Sequence, residues 1–410
     1  MTKIKMFSLS LVAFAIISCG GDTTETNTKT VGKNSNVAPG LESNTSSESS
    51  SAKDNIFRLN FSDPPTFDPA LVTDTTSASI IVEIFSGLVT LNKELDIIPD
   101  LAESWDISDD GRTYTFNLRD DIKFSNGDKV TASDFKWSIE RAANPDTGSM
   151  NAEVYLGDIV GVTEVIEAGG SLTEVSGLKV IDDKTLEITI DEPKTYFLAK
   201  LTYPTAFVLS EKYVTQQGED WIDQPVGTGP FVMTEYQIGQ TLKLKPNDNY
   251  WGEKAKVDGI IMNLAGGVSM AMYENDEVDI TGVGLADLER VKDPNDPLNK
   301  DLVNVPPQFS LNYIGFNVNM PPFDDVNFRK ALSHAVDKEI IADKIYSGLT
   351  KPAFSIIPPG FPGYSPNIEG LSFDEELAKE YLAKSKYADP ASRPRIIVTI
   401  PGTGGSPGLD

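Results

Sequence analysis

From Phe57 onward apolar residues recur at two spacings, every second position along short runs and every three to four along longer ones, so strands and amphipathic helices share the chain. Residues 113–119 place Tyr114, Phe116 and Leu118 on one face, and residues 185–191 do the same with Leu186, Ile188 and Ile190. Both runs predict half-buried strands. Further strands are expected near 240–244, 258–262, 313–318 and 395–400. Thr131-Ala-Ser-Asp134 is a capping-box-like start for a helix through Phe135 and Ile139 to Ala143, where Asn144-Pro145 stops it. Phe328, Ala331, Leu332, Ala335, Val336, Ile340 and Ile341 recur at helical spacing and predict one helix from about 325 to 346, followed by a shorter one over 374–385. The pattern is mixed α/β without a repeated βαβ period and without internal repeats. The strand at 395–400 is followed only by Gly-rich turn material, so we expect a truncated chain.

The start of the chain follows other rules. Lys3 and Lys5 precede an apolar run from Phe7 to Ile17, too short for a hydrocarbon core of about 30 Å, which reads as the core of a signal peptide over 1–18. Ile16-Ile17-Ser18-Cys19 resembles a bacterial lipobox, which implies lipidation of Cys19. From Gly20 to Asp54 aromatic residues are absent and Ser, Thr, Asn and Gly dominate, so this stretch cannot bury enough apolar area to offset the entropy of ordering it. Residues 19–54 are expected to be a flexible tether spanning on the order of 30 Å.

With 410 residues the chain has room for two or three domains. Its 35 Lys and Arg against 61 Asp and Glu give a net charge of −26, a field that repels nucleic acid. One Cys and one His exclude intramolecular disulfides and zinc sites of the Cys/His type. Gly404-Gly-Ser-Pro-Gly408 has the spacing of a nucleophile elbow, but Pro407 has no N–H to donate to an oxyanion and no His follows to act as base, so it reads as a turn. His334 sits among helix core positions and reads as structural. Gly227-Thr-Gly229 and Gly282-Val-Gly284 do not continue into a phosphate-binding loop. Residues 106–117 begin like a calcium loop but end in Asn117, where a bidentate Glu is needed. With no catalytic set, metal or cofactor implied, a binding protein is the better reading than an enzyme.

Several runs point further: Asp63-Pro-Pro-Thr-Phe-Asp-Pro-Ala70, Leu101-Ala-Glu-Ser-Trp105 with Asp109-Asp-Gly-Arg-Thr-Tyr-Thr-Phe116, and Phe124-Ser-Asn-Gly-Asp-Lys-Val-Thr-Ala-Ser-Asp-Phe135. Pro225-Val-Gly-Thr-Gly-Pro-Phe231, Asn249-Tyr-Trp-Gly252 and Pro321-Pro-Phe-Asp-Asp-Val326 continue the series. In that order they resemble the extracytoplasmic solute-binding proteins of peptide ABC transporters, the oligopeptide/dipeptide-binding family. The resemblance implies an α/β, two-lobed, periplasmic-binding-protein-like clamshell with an extra inserted subdomain. Lobe I would be 55–86 and 199–306, the inserted subdomain 87–198, and lobe II, incomplete, 307–410, with crossing strands near 305–313. It implies a monomeric, membrane-anchored extracytoplasmic receptor that takes an oligopeptide or dipeptide into the cleft and delivers it to ABC permease subunits. Ligand-lining residues would be Thr75, Thr76, Ser77, Asn151, Gly282, Val283, Gly284, Phe309, Ser310 and Asn312. Thr75 as a helix N-cap, and the two glycines as backbone devices, are the structural alternatives. A secreted lipoprotein hydrolase, and the same receptor fold holding an oligosaccharide or nickel chelate, remain alternatives for the whole.

Overall fold

The computed structural model describes residues 55–305 and 309–396. The expected signal peptide, Cys19, the expected tether, the expected turn at 404–408 and most of the strand expected at 395–400 lie outside them. The described chain falls into two compact units, divided between Gly282 and Val283.

Besides an antiparallel pair, β2 (Val89–Leu91) with β3 (Ile97–Pro99), the first unit holds two four-stranded sheets. In one, strand β1 (Ile56–Asn60) pairs in parallel with β10 (Gly259–Asn263), which continues antiparallel to β9 (Thr241–Pro246) and β8 (Phe231–Gln237). Leu59, Leu242, Leu244, Ile260 and Met262 point into a core shared with Ile80, Ile81 and Ile84 of helix α1 (Thr75–Ile84). The other sheet is antiparallel, in the order β4 (Ala102–Ile107), β5 (Thr113–Leu118), β7 (Thr185–Thr189), β6 (Leu178–Asp182). Tyr114 opposes Ile188 and Phe116 opposes Leu186, so the alternation legible in both runs becomes one buried face. That face packs on helix α2 (Ala132–Ala143) through Phe135, Ile139 and Ala142. The α2 start is fixed as the capping pattern predicts, with the Thr131 N–H donating to the Asp134 carboxylate at 2.9 Å.

Two joints weld these cores together. In the first, the Arg141 guanidinium of α2 donates both Nη1 and Nη2 to the carboxylate of Asp68, which is 3% exposed, at 3.1 and 2.5 Å. Asp68 also accepts from the Ala70 N–H at 2.9 Å, and Asp63 of the same loop accepts from the Tyr236 hydroxyl of β8 at 3.0 Å and from the Gly239 N–H at 2.5 Å. In the second, Gly227 and Gly229 lie against the end of α1: a Cβ on either would stand 2.1 Å from the Ile84 carbonyl oxygen or 2.5 Å from that of Glu83, closer than any side chain tolerates. Between them the Thr228 hydroxyl accepts the Ser86 N–H at 3.0 Å.

In the second unit the helices Val326–Ala335 and Glu375–Lys384 pack together. His334 is buried, bonded through Nδ1 to the Ser372 carbonyl at 2.7 Å and stacked on Tyr381, which is the structural role expected of it. Two expectations fail here. The single helix over 325–346 breaks at Val336, where the backbone turns extended, because Asp337 caps a new start by accepting from the Glu339 and Ile340 N–H groups. Ile341–Ile345 then follows as a π-helical turn. Residues 313–318 form no strand: Tyr313 is 81% and Ile314 73% exposed, and an alternating run becomes a strand only where a neighbour pairs with it. Nor do the described residues among 305–313 form strands.

The Asp68–Arg141 pair sets the stability of the first unit. Arg141→Met leaves a buried, unpaired carboxylate and is expected to lower unfolding stability by about 3–5 kcal/mol, whereas adding Asp68→Asn to it recovers part of the loss. Urea denaturation followed by tryptophan fluorescence reads both, and equal midpoints for wild type and Arg141→Met would refute it.

Candidate functional site

Four of the residues expected to meet a ligand, Thr75, Thr76, Ser77 and Asn151, lie at the start of α1 or are bonded to the residues just before it. Asp74, not Thr75, is the N-cap, accepting the Ser77 N–H at 2.7 Å. Thr75 is exposed and Thr76 half-buried, while Ser77 is fully buried, its hydroxyl accepting the Thr66 N–H at 3.2 Å. Just before the cap, the carbonyl of buried Val72 accepts two bonds, from Asn151 Nδ2 at 2.6 Å and from the Tyr203 hydroxyl at 3.2 Å. Asn151 Nδ2 also donates to the Tyr203 oxygen at 3.1 Å, closing a triangle. The Tyr203 ring stacks face to face on Tyr155, with centroids 3.7 Å apart and planes 5° from parallel. Burial first, and then Tyr155 and Asp74 nearby, hold the Tyr203 phenol above its usual range, so it stays protonated and donates.

Thus Asn151 is bonded to Val72, three residues before Thr75, and Thr75, Thr76 and Ser77 form the first turn of α1. Tyr155 and Tyr203 belong to this cluster and are not signalled by any motif. Of the remaining expected residues, Gly282 belongs to the first unit and the others to the second. Gly282 ends the first unit, with its carbonyl accepting from the Thr281 hydroxyl at 3.2 Å. In the second unit, Val283 is half-buried and Gly284 caps the helix Leu285–Lys292 at φ −71°, a conformation open to any residue, with no atom near where a Cβ would stand. Phe309 packs edge-on against Phe361 with centroids 5.5 Å apart, and Ser310 and Asn312 are exposed.

The other end of α1 carries unusual charge. Glu83 is 7% exposed and burial pushes its carboxyl up to about 7. Asp100 is likewise pushed up to about 7 by burial, against the opposing pull of the Gly87 amide, the Trp251 indole, Arg119 and the Ser86 hydroxyl. Tyr250 lies close enough to feel both carboxyls, and burial first, then they, raise its phenol to about 12. Arg119 donates to the Asp100 carbonyl at 2.6 Å and stacks over Trp251, 3.8 Å from the ring centroid. Among the described residues no group of three or more Asp, Glu, His or Cys side chains forms a metal site, and no helix is long and apolar enough to cross a membrane.

Comparison with known proteins gives this arrangement a family. Residues 96–406 match the model described as bacterial extracellular solute-binding proteins, family 5 middle. The dipeptide-binding protein DppE of Bacillus subtilis (strain 168) is 32% identical over 365 residues, covering 87% of this chain and 65% of its own length. The probable deoxycholate-binding periplasmic protein YgiS of Escherichia coli (strain K12) is 31% identical over 354 residues, covering 82% and 64%. The chain therefore spans slightly less than two thirds of the length of these relatives. Among solved structures, a periplasmic oligopeptide-binding protein of Borrelia burgdorferi, OppAIV, superposes with a TM-score of 0.69 at 30% identity, covering 82% of this chain and 67% of the other.

The raised carboxyls give the first unit a distinctive acid response. The folded state holds extra protons on Glu83 and Asp100 between about pH 4 and 7, so their contribution to stability is complete below the ordinary carboxylate range and is lost as pH rises through about 7. We expect the melting temperature to fall between pH 5 and pH 8, and Glu83→Gln and Asp100→Asn each to flatten that slope. Calorimetry across the range checks it; a slope unaltered by both substitutions would count against it.

Proposed function

We propose a function from one premise: the chain belongs to the bacterial extracellular solute-binding proteins of family 5. On that premise it is a binding protein and not an enzyme, with the α/β fold of its solved relatives. Our reading is that it captures oligopeptides or dipeptides outside the cytoplasm and passes them unaltered to an ABC permease, held at the membrane by a lipid on Cys19. The observation that carries the peptide assignment is the match to a dipeptide-binding relative along 87% of the chain. The physical support lies at Val72. Peptides of any sequence present the same backbone donors and acceptors, and a main-chain segment pinned by side chains at its edge is suited to pair with them. We read the sheet of β1, β8, β9 and β10 as part of lobe I, the sheet of β4 to β7 as the inserted subdomain, and residues from 307 as lobe II.

One observation favours a second occupant. The relative named as a probable deoxycholate-binding protein matches almost as well as the peptide binder, which favours cargo without a peptide backbone as the alternative. Mass spectrometry of what the full chain retains through gentle purification separates the two. Peptides, returned uncleaved after incubation with a synthetic peptide mixture, support the proposal. A retained sterol acid, or cleavage products, would replace it. For the anchor, Cys19→Ser is expected to abolish incorporation of a palmitate analogue and to release the protein from the membrane fraction, and membrane retention of this variant would exclude lipidation at Cys19.

A further inference from the structure

Asn151 stands at the N-cap position of the short helix Ala152–Leu156, yet its side chain makes no capping bond. Capping is the usual local task of an asparagine there. It is done instead by Ser149, whose hydroxyl accepts from the Ala152 N–H at 3.1 Å and the Asn151 N–H at 3.4 Å. The Asn151 amide is thereby free to reach 79 residues back along the chain to Val72.

The polarity of that amide follows from its partners. A backbone carbonyl oxygen only accepts, so the atom 2.6 Å from it is the NH2 group and not the carbonyl of Asn151. The second hydrogen of the same NH2 goes to the Tyr203 oxygen, and the Tyr203 hydrogen goes to Val72. Both donors of Asn151 are engaged, and rotating the amide by 180° would set its oxygen against a carbonyl oxygen. Among the described residues no donor meets Oδ1, and Oδ1 is not one of the buried polar atoms without a partner. It is therefore a fixed acceptor open to solvent, beside the exposed start of α1.

We infer that Asn151 is a specificity-determining residue that presents only an acceptor, Oδ1, to the ligand, and so selects an N–H donor of a peptide, with Tyr203 holding it in that polarity. The inference rests on the peptide reading above and adds a sign to it: a carbonyl or carboxylate placed there is repelled, and a backbone amide or the terminal ammonium is bound.

The test is a double-mutant cycle on the full chain. Titration calorimetry would compare wild type and Asn151→Leu against trialanine, the two analogues in which an ester replaces one amide, and the analogue lacking the terminal amino group. Each analogue removes one donor. We expect Asn151→Leu to weaken trialanine binding roughly 3- to 10-fold, as for one neutral hydrogen bond, and one analogue to lose as much in wild type while showing no further loss in the variant. Equal losses for every probe would overturn the inference while leaving peptide binding intact. Failure of wild type to bind trialanine at all would overturn both. Should Asn151→Leu not fold, wild type carrying 13C-labelled asparagine gives the answer: adding trialanine is expected to shift the Asn151 carbonyl carbon and leave its NH2 protons protected, and an unmoved carbonyl carbon would overturn the inference.

Discussion

The buried pair between Asp68 and Arg141 is the constraint on which the first unit depends. The loop from Asp63 to Ala70 has no regular structure, so its polar backbone cannot be satisfied by a ladder of its own. It is held by carboxylates: Asp63 fastens one end to β8, and Asp68 fastens the other to α2. A buried ion pair is stabilising only when its geometry is good and its remaining acceptor sites are filled, and Asp68 meets both conditions, with two guanidinium bonds and a turn of its own. Because α2 belongs to one core and Phe67 of the loop to the other, this pair fixes where α1 begins relative to the Asn151 segment. The Val72 triangle forms only because those two segments arrive together.

The same reasoning explains why the family could be read from the sequence while the centre of the candidate site, at Val72, could not. The runs that carry the resemblance are joints. Gly227 and Gly229 are glycine because the end of α1 occupies the space of a side chain, and Asn249 holds the Ser125 carbonyl at 3.0 Å across 124 residues. Each such contact admits few residue types, so each leaves a motif. The strands at 113–118 and 185–189 were equally legible, since one buried face demands strict alternation. The middle of the candidate site leaves no such trace. Its centre is a backbone carbonyl, which any residue at position 72 would supply, and Tyr203 reaches it across 131 residues with no pattern to announce the contact.

Misreadings in the second unit have a related cause. Helical spacing through Val336, Ile340 and Ile341 was real, but periodicity does not register that Asp337 has a better use for its carboxylate, as a cap. The run at 313–318 has the composition of a strand and lacks the neighbour that would make it one. Local pattern fixes what a segment is able to become, and pairing decides whether it does.

Helix α1 connects the two chemically distinct ends of this arrangement. Its ten residues at about 1.5 Å each make a strut of roughly 15 Å, with Asp74 and the Val72 segment at one end and Glu83 at the other. Asp74 lies where the helix dipole favours a carboxylate, and Glu83 lies where the dipole opposes one. Burial adds to that opposition, and with Asp100 also buried near Tyr250 the far end is comfortable only when its carboxyls are protonated. A close joint at Gly227 and Gly229 leaves the helix little room to shift and relieve an ionised Glu83. A stiff element clamped at both ends is how the Val72 segment, without regular structure of its own, keeps a defined geometry.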